Sequence, residues 1–133
     1  MTDFPLKKHL GMEINTIEPG HAEAEIVIDE RHHNPNGVSH GSVVFAMIDT
    51  SMGAAVMSLV PEGKVCATTD IHMRFVRSVT RGRLVADTQV VKPGRTLMYL
   101  ESKVRDDAGQ VVASATGAFM VLDEPATPAQ SNP

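Results

Sequence analysis

The amino-acid sequence predicts an α+β domain in which an antiparallel sheet packs against one long helix. The run 42–60 is apolar apart from Asp49 and a few hydroxyl residues, and it has the length of a buried helix. Around it lie segments that are rich in β-branched residues and alternate apolar with polar positions. Short turns join most of these segments, which favours antiparallel pairing of neighbours.

The predicted elements follow the order β-β-α-β-β-β-β. Residues 1–10 form a short helix or an arm, and a loop at 29–41 leads into a helix over 41–60 that Pro61-Glu62-Gly63 stops. Turn sequences such as Pro19-Gly20 and Pro93-Gly94 separate neighbouring strands. The six predicted strands cover 12–18, 22–28, 65–76, 83–92, 96–105 and 111–122.

At 133 residues the chain has the length of one domain with its own hydrophobic core. We expect this domain to cover 1–122 and the polar, proline-containing segment 123–133 to form a disordered tail. A helix that is apolar on nearly every side needs more cover than one sheet gives. The pattern therefore predicts a homodimer or a larger assembly, in which a second copy of the chain supplies the remaining cover.

Composition and charge narrow the classes of partner. The net charge of −4 at pH 7 argues against a nucleic-acid-binding protein. The N-terminal residues lack the apolar segment of a signal peptide, and the acid within the run 42–60 argues against a membrane span. The single cysteine, Cys66, cannot form an internal disulfide and suits a reducing cytoplasm.

Asp49 is the residue whose position indicates chemistry. A carboxylate in an apolar helix is costly unless it is paired, hydrogen-bonded or protonated, and chains seldom keep such a cost without a use. The preceding loop, from Asn34 to Gly41, is polar and contains two glycines, so it can present backbone N–H groups at the start of the helix. An acid that follows such donors predicts a hydrolytic site.

Two other interpretations of this region carry less weight. Gly37 to Gly41 matches the G-x-S-x-G pattern of a nucleophilic serine, here Ser39, but a turn precedes it and the chain is short for an α/β-hydrolase. The spacing of four histidines fits neither a helical metal-binding pair nor a Cys/His zinc site (His32, His33, His40 and His72). We therefore predict no metal and no cofactor.

The segment from Asn34 to Asp49, with His40-Gly41 ahead of the helix acid, resembles the signature of the hotdog-fold acyl-CoA thioesterases, above all their phenylacetic-acid-degradation-type branch. The stretches Asp70 to Phe75 and Gly94-Arg95-Thr96 are similar to the same family. The resemblance implies a curved antiparallel six-stranded sheet wrapped around one long central helix. It also implies a homodimer whose site is split between subunits, and a homotetramer built as a dimer of dimers.

The resemblance also assigns roles to individual residues. Asp49 would act as general base on water or as nucleophile on the thioester carbonyl, and the Gly41 amide would donate to the oxyanion. Asn34 would position water or the thioester, and Thr68 would assist from the next strand. His40 is a further catalytic candidate, which we expect to shape the loop more than to transfer protons.

Four residues are candidates for binding the substrate. Ser42 stands where the family has a second glycine, and its hydroxyl either lies near the N-cap or contacts the acyl group. Arg74, Arg77 and Arg95 are candidates for the CoA phosphates, because a guanidinium group binds phosphate with two parallel hydrogen bonds. The alternative for these arginines is ordinary solvated charge at strand ends.

The sequence thus predicts a cytoplasmic acyl-CoA thioesterase that hydrolyses a small aryl or short-to-medium-chain acyl-CoA to the free acid and CoA. The alternative on the same fold is a non-catalytic acyl-CoA binding or sensing module. A hotdog hydratase or dehydratase is a third interpretation, which the missing Asp–His pattern of those enzymes disfavours. The identity of the acyl group, and the choice between CoA and acyl carrier protein thioesters, stay open.

Overall fold

The computed structural model describes residues 3–125. Of the predicted tail 123–133, Asp123 belongs to the last strand, and residues 126–133 lie outside the described residues. The segment 1–10 contains a short helix, and the long predicted helix and all six predicted strands are present. The elements are α1 (Pro5–Leu10), β1 (Glu13–Glu18), β2 (His21–Ile28), a 3₁₀ turn (Glu30–His32), α2 (Gly41–Met57), β3 (Lys64–Phe75), β4 (Gly82–Lys92), β5 (Leu97–Arg105) and β6 (Val111–Asp123).

The six strands form one sheet in the order β1-β2-β4-β5-β6-β3, and every neighbouring pair is antiparallel. This confirms the predicted fold class, an antiparallel sheet with α2 packed on its inner face. β3 lies at one edge, and among the described strands it pairs only with β6. No helix within residues 3–125 is long and apolar enough to cross a membrane.

Strand alternation decides which side chains meet the helix. In β2, Ala22, Ala24 and Ile26 are buried under α2, while His21 and Glu23 lie on the outer face. Small residues let the two layers approach closely, and Gly117 of β6 is the clearest case. A Cβ at this position would lie 2.7 Å from the Met52 sulfur, so any larger residue would push α2 away from the sheet.

α2 ends at Met57 rather than at the predicted residue 60. The Ser58 side chain explains the earlier end, since its hydroxyl donates to the Ala55 carbonyl (2.7 Å) and accepts the Gly20 N–H (2.7 Å). These bonds tie the helix terminus to the turn between β1 and β2. The prediction was wrong here because the partner of Ser58 lies far away in sequence.

Three buried hydroxyl groups connect α2 to the sheet. Thr88 Oγ1 lies 2.7 Å from Ser51 Oγ and 2.8 Å from Ser102 Oγ, and Ser51 also donates to the Ile48 carbonyl at 3.1 Å. All three side chains are buried, so none can exchange these bonds for bonds to water. The row therefore fixes how α2 sits over β4 and β5.

We expect Thr88→Val to lower the free energy of unfolding by about 1–3 kcal/mol, because the isosteric change leaves two buried hydroxyl groups short of a partner. Urea unfolding followed by circular dichroism measures the effect. Thr116→Val is the matched control, since Thr116 is exposed on the outer face of β6. An unchanged urea midpoint for Thr88→Val would mean that the hydroxyl row contributes nothing to stability.

One side of α2 is left uncovered by the sheet. The residues of α2 that are not buried recur every three or four positions after its first residue (Ser42, Phe45, Ala46, Asp49, Thr50, Gly53 and Met57). Two of them are large apolar residues, with Phe45 38% and Met57 39% exposed. This uncovered stripe adjoins β3, as the contact between Asp49 and Thr68 shows.

Candidate active site

Asp49 lies on the uncovered stripe of α2, beside β3. The Thr68 hydroxyl donates a 2.6 Å hydrogen bond to Asp49 Oδ1, so the structure joins two of the residues proposed from sequence. Within residues 3–125 no lysine, arginine or histidine lies within 4 Å of the Asp49 carboxylate. The sequence predicted a buried acid, but Asp49 is only half-buried, because its own sheet does not cover this side of the helix.

Cys66 reports on the electrostatics beside Asp49. Burial raises the pKa of the Cys66 thiol, and the nearby negative charge of Asp49 raises this pKa further. The Cys66 sulfur lies 3.9 Å from the Gly53 carbonyl on the same stripe of α2. The thiol is therefore protonated near neutral pH and is a poor nucleophile.

The Asn34 side chain shapes the loop before α2 and keeps one group free. Its Oδ1 accepts the Asn36 N–H at 2.9 Å, and its own backbone N–H donates to the Val38 carbonyl at 2.7 Å. Gly37 closes this turn with a φ of +80°, a conformation that favours glycine. Because Oδ1 is engaged, the side-chain NH₂ group is what Asn34 offers to the adjoining cleft, which it lines.

The loop is also tied to the segment between β3 and β4. The Ser39 N–H donates to the Val79 carbonyl at 2.7 Å, and His33 Nε2 bonds to the Thr80 carbonyl at 2.7 Å. Among residues 3–125 the Ser39 hydroxyl contacts no base, since its one hydrogen-bond partner there is the His40 carbonyl, at 3.5 Å. The wholly antiparallel sheet likewise excludes the α/β-hydrolase interpretation of Ser39.

His32 holds the start of this loop in place, a role that the sequence did not indicate. The side chain is fully buried, and both ring nitrogens are satisfied. Nδ1 accepts the Asp29 N–H at 3.0 Å, so the proton is on Nε2, which donates to the Leu10 carbonyl at 2.9 Å. The His32 carbonyl in turn accepts the His40 N–H at 2.8 Å, which fixes the residue that begins α2.

His40 is the N-cap of α2. Its Nδ1 lies 3.0 Å from the Ser42 backbone N–H and 2.8 Å from the Ser42 hydroxyl, so Nδ1 is the acceptor and the proton is on Nε2. This geometry agrees with the expectation that His40 shapes the loop. Ser42 is the second residue of α2 and lies next to this N-cap, which is one of the two places considered for its hydroxyl.

The Gly41 N–H is free to bind a ligand. Among the described residues it has no hydrogen-bond acceptor, as expected for the first turn of a helix. The Phe75 ring packs against Gly41, since a Cβ at position 41 would lie 3.0 Å from the ring tip. Phe75 was not a candidate from sequence, because only the three-dimensional fold brings the end of β3 to the start of α2.

An open cleft of about 370 Å³ adjoins Gly41 and Phe75. Five valines and Phe75 form the apolar part of its wall, and Asn34, Ser39, Ser78 and Arg77 add polar groups. The valines are Val38, Val44, Val76, Val79 and Val112. An apolar cleft beside a free helix-terminal N–H suits an acyl or similar organic group with one polar oxygen.

The distance between Gly41 and Asp49 constrains the chemistry. Eight residues of α-helix separate them, which is a rise of about 12 Å. A carbonyl carbon that is attacked at Asp49 has its oxygen within a few ångströms, so the Gly41 N–H of the same chain is out of reach. Within one chain, the Asp49 carboxylate and the Gly41 N–H are therefore too far apart to act on the same carbonyl group.

The three candidate arginines lie in different places. Arg77 follows β3 and lines the cleft together with Phe75. Arg74 lines a groove on the outer face of the sheet, because it precedes Phe75 in the strand and successive strand residues point to opposite faces. Arg95 lies in the turn between β4 and β5, next to Thr96, whose carbonyl accepts the Val121 N–H. Arg95 is therefore near the end of β3 opposite to the cleft, since Val121 pairs with Cys66.

Comparison with known proteins decides the family. A family model described as the thioesterase superfamily matches residues 36–113, more than half of the chain. The chain belongs to the thioesterase superfamily. It has the hotdog fold and is a thioester hydrolase. The segment from Asn34 to Asp49, by its resemblance to the family signature, implied both.

Relatives of this thioesterase match over most of their lengths. The proofreading thioesterase EntH of Klebsiella pneumoniae is 29% identical over 77% of this chain and 74% of its own. A 1,4-dihydroxy-2-naphthoyl-CoA hydrolase of Listeria monocytogenes is 28% identical over 80% of this chain and 87% of its own. The crystal structure of a thioesterase from Haemophilus influenzae has a TM-score of 0.84 and 26% identity, covering 89% of this chain and 82% of that one.

Proposed function

We propose that this thioesterase hydrolyses a small aryl or short-to-medium-chain acyl-CoA to the free acid and CoA, in the cytoplasm and without a cofactor. The cleft volume and its valine lining support a small acyl group. The relative from Listeria monocytogenes is named as the hydrolase of an aryl-CoA, which also supports this class of substrate. We assign the chain to the phenylacetic-acid-degradation-type branch on the pattern from Asn34 to Asp49.

The observation that carries the proposal is that the chain has both a carboxylate held by a hydrogen bond, Asp49, and a free backbone N–H at a helix start, Gly41. The thioester carbonyl oxygen would accept the Gly41 N–H, with the Asn34 NH₂ group as a second donor from the same cleft. Both donors strengthen as negative charge develops on this oxygen, and the positive end of the helix dipole adds to the effect. One such donor contributes roughly 10²–10³ in rate.

Asp49 would act on the carbonyl carbon from the other side. As general base it takes a proton from water, whose oxygen attacks the carbon, and the C–S bond breaks to release the CoA thiolate. As nucleophile it attacks the carbon directly, and water then hydrolyses the resulting anhydride. In either route the Thr68 hydroxyl holds Oδ1, so Oδ2 is the oxygen left to face the substrate.

The separation of Gly41 from Asp49 supports a site that two chains share. The acid would come from one subunit, and the Asn34–Gly41 loop with its cleft from the other. The outer edge of β3, which no other strand within residues 3–125 pairs with, adjoins the uncovered stripe of α2, and together they offer a surface for the second chain. We propose a homodimer through this surface, and a homotetramer as a dimer of dimers.

Gly53 gives independent support for close contact on this stripe. Glycine within a helix costs about 1 kcal/mol relative to alanine. Within residues 3–125 no close contact requires it, because a Cβ at position 53 would meet the Phe119 ring at an ordinary 3.8 Å. A glycine that its own chain does not need is expected where a partner backbone approaches.

For the CoA phosphates we propose Arg77 and Arg95. Arg77 lines the cleft next to the Gly41 amide, and Arg95 lies toward the other end of β3, where a partner chain would approach. We leave Arg74 out of the proposed site, because it lies on the opposite face of the sheet. Ser42 would contact the acyl group while its hydroxyl keeps its bond to His40.

Thr68→Val tests the link between β3 and the catalytic acid. We expect kcat to fall about 10- to 100-fold with KM unchanged, because a hydrogen bond to a charged group contributes about 1.5–3 kcal/mol. Steady-state thioester hydrolysis measures the change. Thr68→Ser should restore most of the rate, and Thr69→Val, on the same strand, serves as control. Wild-type kinetics in Thr68→Val would exclude a role for this bond.

Product analysis tests the proposed reaction against its alternatives. The enzyme is incubated with a saturated and an α,β-unsaturated acyl-CoA, and the products are separated by liquid chromatography. We expect the free acid and CoA from both. A hydroxyacyl-CoA from the unsaturated substrate would indicate a hydratase, and tight binding with no product would indicate a sensing module. Repeating the assay with an acyl carrier protein thioester shows which carrier is preferred.

A further inference from the structure

Three side chains with metal-binding atoms converge on the outer face of the sheet. They are His21 and Glu23 of β2 and Asp87 of β4, and their nearest ligand atoms all lie within 4.8 Å of one another. Residues 21 and 23 share a face of their strand, and Glu23 pairs directly with Asp87 across the ladder. The backbone register, rather than the conformation of one long side chain, therefore brings the three groups together.

The electrostatics of this cluster favour a bound cation. Two carboxylates directly opposite each other across a ladder repel. Within residues 3–125 neither Glu23 nor Asp87 has a lysine or arginine within 4 Å, although Lys103 pairs with Asp87 in the backbone register. Arg83 is held by two hydrogen bonds to Glu25, at 2.7 and 2.8 Å. Arg105 lines the same groove as Asp87 and Lys103 without coming within 4 Å of either carboxylate among the described residues.

The His21 ring lies between two carboxylates. Its Nε2 is hydrogen-bonded to Asp87 Oδ1, while Glu18 Oε2 lies 3.9 Å from Nδ1 on the other side of the ring, beyond hydrogen-bond distance. A metal ion held by Nε2 and Asp87 would replace this hydrogen bond, and Glu18 is placed to approach the Nδ1 proton, as carboxylates do behind metal-bound histidines. The His21 side chain is 19% exposed and that of Asp87 39%, so solvent ions can reach both.

We propose that His21, Glu23 and Asp87 bind a divalent transition-metal ion of the Zn²⁺ class, with water at the remaining coordination positions. One imidazole nitrogen with two carboxylate oxygens suits Zn²⁺, whereas Mg²⁺ and Ca²⁺ prefer oxygen ligands alone. The ion would join β2 to β4 on the outer face of the sheet. It would therefore stabilise the fold and take no part in thioester hydrolysis, whose groups lie on the other side of the sheet.

The test is Zn²⁺ titration of the tag-free full chain by isothermal calorimetry. We expect one Zn²⁺ per chain, and at least 100-fold weaker binding in His21→Gln and in Asp87→Asn. Zn²⁺ should also raise the melting temperature of the wild type but not of these variants. His72→Gln is the matched control, since His72 lies on the same outer face and outside the cluster, and it should bind like the wild type.

Two outcomes would overturn the proposal. One is the absence of any Zn²⁺ binding by the wild type up to millimolar concentration, which would leave the cluster as a simple contact between His21 and Asp87. The other is equal binding by His21→Gln, Asp87→Asn and the wild type. Circular dichroism of each variant confirms that it is folded, so that a loss of binding reports on the ligands.

Discussion

Asp49→Asn is expected to lower kcat by roughly 10³-fold on every thioester that the wild type hydrolyses, because an amide can neither accept a proton from water nor attack a carbonyl. KM should change little, since the Gly41 amide and the cleft are untouched. The fold should persist, because the carbonyl oxygen of the introduced amide can still accept the Thr68 hydroxyl at the position of Oδ1.

Steady-state kinetics with a thiol-reactive dye measures the loss. Asp70→Asn is the matched control, because Asp70 is an exposed carboxylate on β3 that lines a groove on the outer face of the sheet. It should keep nearly the wild-type rate. Should Asp49→Asn retain that rate on all active substrates, the catalytic role of Asp49 would be disproved.

Mixing two inactive variants is expected to restore activity. Asp49→Asn removes the acid. Asn34→Asp removes the NH₂ donor of the loop but keeps a side-chain oxygen that accepts the Asn36 N–H, so the turn is preserved. If each site takes its acid from one subunit and its loop from the other, a mixed dimer has one site with both lesions and one intact site. Random re-association of equal amounts then gives about a quarter of wild-type activity.

The measurement requires subunit exchange, by dilution from mild denaturant, followed by the hydrolysis assay. Each variant treated alone is the control and should stay inactive. Light scattering confirms that the mixture has the same mass as the wild type. If the mixture stays as inactive as its parents, the acid and the loop belong to the same chain, and the shared site would be wrong.

The sheet was largely predictable because its elements depend on local pattern. Alternation in β4 placed Leu84 and Ala86 on one face, and both are buried in the core. The turn at Asp106 was equally predictable, since its carboxylate accepts the N–H groups of Ala108 and Gln110. Such signals involve residues within a few positions of one another.

The site was predictable only in part. The resemblance to a family singled out Thr68, but no sequence pattern shows that β3 brings it to Asp49. His32 was considered only as a metal ligand, because its true partners include the Leu10 carbonyl, which the fold alone brings near. Phe75 was missed for the same reason, since its contact with Gly41 joins the end of β3 to the start of α2.

The most direct test of acyl-CoA hydrolysis at Asp49 is the release of CoA thiol from phenylacetyl-, hydroxybenzoyl- and straight-chain acyl-CoAs, with Asp49→Asn alongside. The raised pKa of the half-buried Cys66 thiol keeps the protein's own reaction with the dye slow. We predict catalytic turnover of at least one of these thioesters by the wild type, and its loss in the variant. Tight binding of acyl-CoA without thiol release from any of them would contradict the account and favour a sensing module.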